Sequence, residues 1–259
     1  MNAWLLKALE IFYLPIEFAR SDIRNRFRGS KIGVFWFFLN PLLQTGLFTL
    51  FYSAFRGSFD HTYPLYVLSG FLIWDVITSS IITGCGAFHY AEGYINNFKF
   101  NIVVYLARIP VYVLFTFFCH GALLLLFTLV FDASKFFPAF IAILAVAPFV
   151  FIISFSLVST FAYGGLISRD LPNVMGHILQ AVWFISPVFI WKGFFADNFT
   201  ELLTYNPVYY LLNLVRVPLF EYKVPTLTDV GVSLFFVVPF AVCGWFLHKA
   251  LKKNVGLRL

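Results

Sequence analysis

Charge is what this chain has least of. Only 12% of its 259 residues are Asp, Glu, Lys or Arg, against about a quarter in an ordinary soluble domain. So few charged side chains cannot cover a water-facing surface, which excludes a soluble globule. Cysteine is scarce as well: Cys85, Cys119 and Cys243 lie in apolar stretches with no C-x-x-C pair. That excludes a disulfide framework or thiolate metal centre and leaves them as small core residues. No G-x-x-x-x-G-K-[ST] loop is present to cradle nucleotide phosphates. Nor is there an H-E-x-x-H, a G-x-S-x-G, or a pair of carboxylates at a membrane boundary to hold magnesium for lipid-phosphate chemistry. Asp170 stands beside Arg169 with no acidic neighbour close in sequence. The absence of an internal repeat gives no support to an inverted-repeat secondary transporter.

What the chain has is apolar: 61% of it is hydrophobic, with 36 Phe, 13 Tyr and 6 Trp. The apolar residues come in long continuous runs rather than short alternating segments, which selects membrane helices over a β-barrel. An all-α, polytopic membrane protein follows, with six candidate spans at 32–55, 64–86, 108–131, 138–163, 173–191 and 229–250. The fifth is the weakest, being short and carrying His177 and Gln180. The 259 residues read as one transmembrane domain with an interfacial segment at 1–31, spans one to five over 32–191, an intervening segment at 192–228, and the last span and tail at 229–259.

Orientation follows from the basic residues, which remain in the cytoplasm. Lys7, Arg20, Arg24, Arg26, Arg28, Lys31, Lys99, Arg108, Arg169, Lys249, Lys252, Lys253 and Arg258 fall on one side of this layout, and Arg56, Lys135, Lys192, Arg216 and Lys223 on the other. Thirteen against five predicts both termini in the cytoplasm. The formal net charge of +6 sits in short loops and at the termini, so anionic lipid headgroups suit it better than nucleic acid. The first thirty residues, with Glu10, Glu17, Asp22 and an arginine cluster, do not have the pattern of a cleavable signal.

Two segments are unusual. After Pro15, Ile16, Ala19, Ile23 and Phe27 recur at helical spacing beside a row of Arg20, Arg24 and Arg28, predicting an amphipathic helix in the cytoplasmic interface. A short arm that merely supplies the positive-inside signal is the plainer alternative. The segment 192–228 is too apolar for a solvated loop, yet Pro207, Pro218 and Pro225 leave no piece long enough to span. A re-entrant helical pair suits it; an ordinary loop lying on the headgroups remains the alternative.

Within the spans, Asp75 is followed on its face by Ser79 and Thr83, and His120 by Thr116 one turn earlier. Ionisable groups in a membrane are expensive and invite a functional reading; they either line a polar route or bond each other across two helices. Pro41, Pro148, Pro187 and Pro239 predict kinks. Trp36, Phe37, Phe38, Trp183, Phe184 and Phe189 lie deeper than an interfacial belt requires. Aromatic faces can let sugar rings slide past, although packing in the core or against lipid serves any one of them equally well.

The run Arg26-Phe27-Arg28-Gly29-Ser30-Lys31-Ile32-Gly33, continuing through Trp36 to Asn40-Pro41-Leu42-Leu43, resembles the opening of the permease subunits of ABC exporters for O-antigen, capsular polysaccharide and teichoic acid. Further likeness lies in Leu166-Ile167-Ser168-Arg169-Asp170-Leu171, Ser186-Pro187-Val188 and Asn206-Pro207. The resemblance implies six spans, an N-terminal interfacial helix, re-entrant helices before the last span, a bacterial inner-membrane location, and a homodimer served by two copies of a separate ATPase subunit. ATP and magnesium would then sit on that partner, leaving this chain without a cofactor or metal and with no catalytic residue. Lipid-linked polysaccharide would be the cargo, with membrane lipids around it and no nucleic acid.

By the same resemblance, Arg20, Arg24, Arg26, Arg28 and Lys31 would receive the lipid-linked phosphate, and Trp36, Phe37, Asn40, Trp183 and Phe184 would line the glycan path. Glu92, Asn96, Asn97, Phe98, Lys99 and Phe100 would couple to the ATPase, and Phe194, Phe195, Tyr209 and Tyr210 would form a periplasmic gate. O-antigen on undecaprenyl diphosphate is the favoured cargo. Capsular polysaccharide or teichoic acid is a sibling alternative, and a membrane enzyme acting on polyprenyl phosphates or a non-transporting scaffold a more distant one.

Overall fold

A computed structural model describes residues 3–97, 101–189, 205–252 and 255, with side chains in 13–93, 95, 101–189, 205–252 and 255. The described residues form helices joined by turns: α1 (Ala3–Arg26), α2 (Trp36–Arg56), α3 (Tyr63–Cys85), α4 (Glu92–Asn97), α5 (Ile102–Phe131), α6 (Phe136–Ile167), α7 (Leu171–Ile185), α8 (Pro207–Arg216) and α9 (Leu227–Leu251). The protein is therefore an all-α, multi-pass membrane protein. Five helical segments are long and apolar enough to cross a bilayer: Gly33–Arg56, Tyr63–Cys85, Ile102–Phe131, Ala133–Ile167 and Leu227–Leu251.

The expected fifth span is different. Its helix, α7, has 15 residues, which at 1.5 Å per residue covers roughly 22 Å of a hydrocarbon core about 30 Å thick. It stops at Ile185 because Ser186 adopts an extended backbone, the conformation favoured before proline, and Pro187 follows. The remainder of the predicted span, including Trp191, lies outside the described residues. The third span begins at Ile102 rather than at 108, where the Asn101 side chain accepts from the Val103 amide at 3.1 Å as an N-cap. Pro41, Pro148 and Pro239 lie inside continuous helices.

α3 is the most buried of the five and packs against α2, α5, α6, α7 and α8, while α9 covers α6 and α8. Between lipid-solvated helices there is little hydrophobic drive, so close approach relies on small residues and hydroxyls. Ser80 donates to Ser154 at 2.7 Å where α3 meets α6. Nearby, Gly165 lies so close to the other helix that a Cβ would stand 1.9 Å from the Cys85 carbonyl oxygen. Thr160 in turn donates to the Phe240 carbonyl at 2.6 Å between α6 and α9.

The segment predicted to be re-entrant is described from Tyr205 onward. Asn206 caps α8 by accepting from the Val208 amide at 2.9 Å, and its side-chain nitrogen donates to Ser186 at 2.9 Å. Val208, Leu211, Leu212 and Val215 then face inward, and a π-helical turn, Val217–Glu221, follows. With 10 residues α8 is too short to span, and it packs inside the bundle against α3, α6 and α9.

Arg216, counted in the sequence as a loop charge, is in fact buried at 7% exposure. It lies one residue beyond the inward stripe of α8 and is drawn in with it. Its guanidinium donates to the carbonyls of Pro187 at 2.6 Å, Val188 at 2.7 Å and Tyr66 at 3.1 Å, and to Ser69 at 3.3 Å. It also lies over the Tyr66 ring, 3.6 Å from the centroid. The carbonyls freed where Pro187 ends α7 are thereby satisfied. Gly70 makes room, since a Cβ there would stand 2.3 Å from the Val188 oxygen.

Replacing Arg216 by Met strands the Val188 carbonyl and leaves that of Pro187 only the Tyr66 hydroxyl at 3.3 Å, an expected loss of about 1–3 kcal/mol. Gly70→Val should act in the same direction by clash. A thermal melt of the purified protein in detergent, read against wild type, checks both, and an unchanged midpoint would contradict this account of the clamp.

Candidate functional site

Four helices turn a polar or aromatic stripe toward one cavity of about 830 Å³. On α2 the stripe is Trp36, Asn40, Gln44 and Phe48, with Phe37 and Pro41 beside it; on α3 it is Phe71, Trp74, Asp75, Thr78, Ser79 and Ile82. α5 contributes Tyr112, Thr116 and His120, and α7 contributes Gly176, Leu179, Gln180 and Trp183. Spacings of three, four, seven and eight place each set on one helix face. Arg26 and Phe27, at the end of α1, complete the lining.

Asp75 is the focus of the polar groups. Ser79 donates to its Oδ1 at 3.1 Å, and Thr116 donates across the helix pair to its Oδ2 at 3.1 Å. His120 Nδ1 is 3.9 Å from Oδ2, beyond hydrogen-bond reach. The bond across the two helices thus comes from Thr116 rather than from His120, and Asp75, Thr116 and His120 share one polar cavity wall. Thr83 does not line the cavity.

Aromatic rings crowd one part of the cavity. Phe48 lies 5.4 Å from Trp183, 5.0 Å from Phe189 and 6.0 Å from Phe71, and Trp183 lies 4.6 Å from Phe189. Phe189 is the residue next to the carbonyl held by Arg216, and its own carbonyl accepts from Tyr63 at 3.0 Å. In another part, Phe27 packs edge-on to Phe37 at 5.0 Å. Phe184 turns away from the cavity, 57% exposed, with its ring against Trp183.

α1 lies along α5. Phe18 stacks on Tyr105 at 5.6 Å, Asp22 pairs with Arg108 at 3.2 Å, and Arg26 donates to the Tyr112 hydroxyl. Partners rising together in both helices mean that the two run parallel. Of the residues expected to receive the phosphate, Arg26 lines the cavity although its side chain is exposed, while Arg20, Arg24, Arg28 and Lys31 are exposed outside the lining. Ile16 is exposed too, and Ala19 is the most buried of the predicted apolar stripe. Arg108 is buried at its other partner as well, donating to the Ala87 carbonyl at 3.1 Å. It thereby joins α1 and α5 to the connection that leads into α4. Burial pushes the Asp22 carboxyl above the ordinary carboxylate range, outweighing the pull of Arg108.

Of the predicted coupling residues, Glu92 is exposed at the start of the six-residue α4, and Asn96 and Asn97 close it. Phe98, Lys99 and Phe100 lie outside the described residues. So do Phe194 and Phe195. Tyr209 and Tyr210 sit half-buried on α8, their rings edge-to-face at 5.3 Å, away from the cavity lining. Sequence reasoning passed over Gln44, Trp74, Thr78 and Tyr112 as cavity residues and took Gln180 only as a weakness in the fifth span. The usable signal was spacing: Gln44 follows Asn40 by four, and Tyr112 precedes Thr116 by four. Among the described residues, no group of three or more His, Cys, Asp or Glu could hold a metal ion.

A multi-pass helical membrane protein with a polar and aromatic cavity among its spans is the class that this geometry defines. No family model matches the chain. It is similar to the O-antigen export system permease protein RfbA of Myxococcus xanthus, 24% identical over 217 residues, 82% of each chain. It is also similar to two proteins of that name from Klebsiella pneumoniae. One is 21% identical over 249 residues, 87% of this chain and 92% of the relative, and the other 22% identical over 204 residues, 76% of each.

Arg108→Met should loosen α1 by leaving the Ala87 carbonyl and Asp22 without their guanidinium partner. Hydrogen exchange followed by mass spectrometry is expected to show roughly ten- to hundredfold faster exchange in residues 13–26, and protection equal to wild type would remove the tether from this account.

Proposed function

We propose that this chain is the membrane permease subunit of an ABC exporter that moves a lipid-linked polysaccharide, O-antigen on undecaprenyl diphosphate, from cytoplasm to periplasm across the bacterial inner membrane. It is a transport subunit rather than an enzyme, and ATP is bound with magnesium and hydrolysed on a separate subunit present in two copies. The observation that carries the reading is the cavity: neutral amides, hydroxyls and aromatic faces converge within the spans, a lining suited to a sugar chain and poorly suited to a purely apolar cargo. Similarity to named export permeases over most of the chain supports it.

Two copies of the chain assemble around the path, because one set of short and long spans gives a groove rather than an enclosed channel wide enough for a glycan. Both termini face the cytoplasm, in keeping with the thirteen-to-five charge asymmetry. The exposed Arg20, Arg24, Arg28 and Lys31 then meet anionic headgroups and the lipid-linked diphosphate, with Arg26 at the groove itself. Trp36, Phe37, Asn40 and Trp183 line the glycan path, and α4 with the residues after it docks on the ATPase. The segment around α8 dips in from the periplasmic face, with Phe194, Phe195, Tyr209 and Tyr210 as its gate.

Affinity purification of the tagged chain from its native membrane is expected to bring down an ATPase subunit, and deletion of the chain to trap polymer in the cytoplasm. Absence of both results would refute the reading. Within that system, Trp36→Ala and Trp183→Ala should each slow export roughly two- to tenfold, the loss of one aromatic contact, while ATP turnover without substrate is retained.

A further inference from the structure

We propose that Asp75 reads hydroxyl groups on the first sugar of the cargo, one helical turn from the place where Arg26 holds its phosphate. The proposal rests on the export reading above and assigns to one side chain a selectivity that aromatic walls lack. Asp75 is a carboxylate within a transmembrane helix, and such a group is retained where it is satisfied or used. Its side chain keeps 31% exposure into the cavity although its helix is the most buried of the spans.

The two hydroxyls that hold it, Ser79 and Thr116, each donate to a different oxygen. A carboxylate has about four acceptor positions, so both oxygens keep capacity for further donors from the cavity. His120 Nδ1 is buried without a hydrogen-bond partner and stands too far away to take up that capacity. The carboxylate is fixed in direction by hydroxyls on two helices and open on its cavity side.

The ligand class follows from charge and position. A carboxylate repels phosphate and accepts from neutral donors, and adjacent sugar hydroxyls offer two such donors to its two oxygens. Metal binding has no support, because no second carboxylate, His or Cys joins Asp75 and His120 in a metal-sized group among the described residues. The complementary anion anchor is Arg26, bonded to Tyr112. From Tyr112 to Thr116 is one turn of α5, roughly 6 Å, so cation and carboxylate mark successive levels of the groove. A phosphate at the first level places the adjoining sugar ring at the second, with the Trp74 indole beside Asp75 in the lining.

The test uses the full chain in lipid nanodiscs and its tryptophan fluorescence, titrated with farnesyl diphosphate and with farnesyl diphospho-N-acetylglucosamine. Wild type is expected to bind the sugar-bearing probe about tenfold or more tightly than the bare diphosphate, as charge-assisted hydrogen bonds allow. Asp75→Asn, which preserves shape and keeps one hydroxyl bond while the other must reverse, with the new amide donating to the hydroxyl, should abolish that advantage without weakening the affinity for farnesyl diphosphate, since a repelling charge has been removed. Asp75→Glu, which keeps the charge but displaces it by one methylene, should lose part of the advantage. If D75N is too unstable to measure, D75E decides: an undiminished advantage in either variant overturns the proposal. A wild type that binds both probes equally overturns it while leaving the export reading intact, and a wild type that binds neither overturns both.

Discussion

The constraint on which the interior depends is that a guanidinium and a set of freed carbonyls must satisfy each other where water is excluded. Pro187 stops α7 and leaves the Pro187 and Val188 carbonyls without helical donors. Arg216 supplies them, along with Tyr66 and Ser69 on α3. Neither partner would be tolerable alone: an unpaired charge or bare carbonyls in apolar surroundings cost several kcal/mol. Joined, they fix the end of α7, the beginning of α8 through the Asn206–Ser186 bond, and the close approach at Gly70. The aromatic cluster of Phe48, Trp183 and Phe189 is placed by the same knot. Trp183 ends the cavity stripe of α7, and Phe189 follows Val188 directly.

A second constraint comes from the solvent. Lipid offers no hydrogen bonds, so each polar side chain in the spans must be matched within the protein or face a cavity. The stripes of α2, α3, α5 and α7 meet that condition together, converging on one volume instead of being distributed over lipid-facing surfaces. The remaining outward faces are apolar, with Leu43, Leu47, Leu50 and Phe55 on α2 and Leu234, Phe235, Val238 and Phe246 on α9 well exposed. The cavity wall divides accordingly into an aromatic part around Phe48 and Trp183 and a polar part around Asp75.

The membrane class and most spans were legible because a bilayer imposes a minimum apolar length, visible in any helix-length window of the sequence. A helix before the first span was legible, but not its extent: it begins at Ala3 and carries Pro15 inside it rather than at its start, and Ile16 of the expected apolar stripe is exposed. The fifth span was not, because hydropathy continues through Ser186-Pro187-Val188 although the backbone does not remain helical there. Arg216 was misread for a related reason. A positive residue between spans is ordinarily a solvated charge, and only the folded chain shows carbonyls positioned around it. Arg26 separated from its neighbours because its face, shared with Phe18 and Asp22, meets α5, whereas Arg20, Arg24 and Arg28 lie on other faces.

The sequence by itself determined that the solvent is lipid, that the secondary structure is helical, where the strongest spans lie, and which residue types could contact a sugar chain. It also carried the separate runs Ser186-Pro187-Val188 and Asn206-Pro207, which resemble one family, without relating them to each other. Only the tertiary structure decided that these runs meet through the bond from Asn206 to Ser186, that Arg216 takes up the carbonyls of the first, that Asp75 faces Thr116 across two helices, and that Gln44, Tyr112 and Gln180 share a cavity with them. The physical reason is that periodicity fixes the faces of a helix but not its neighbours. Helix neighbours depend on close packing at a few small residues and on polar groups that can be satisfied only by partners distant in the chain.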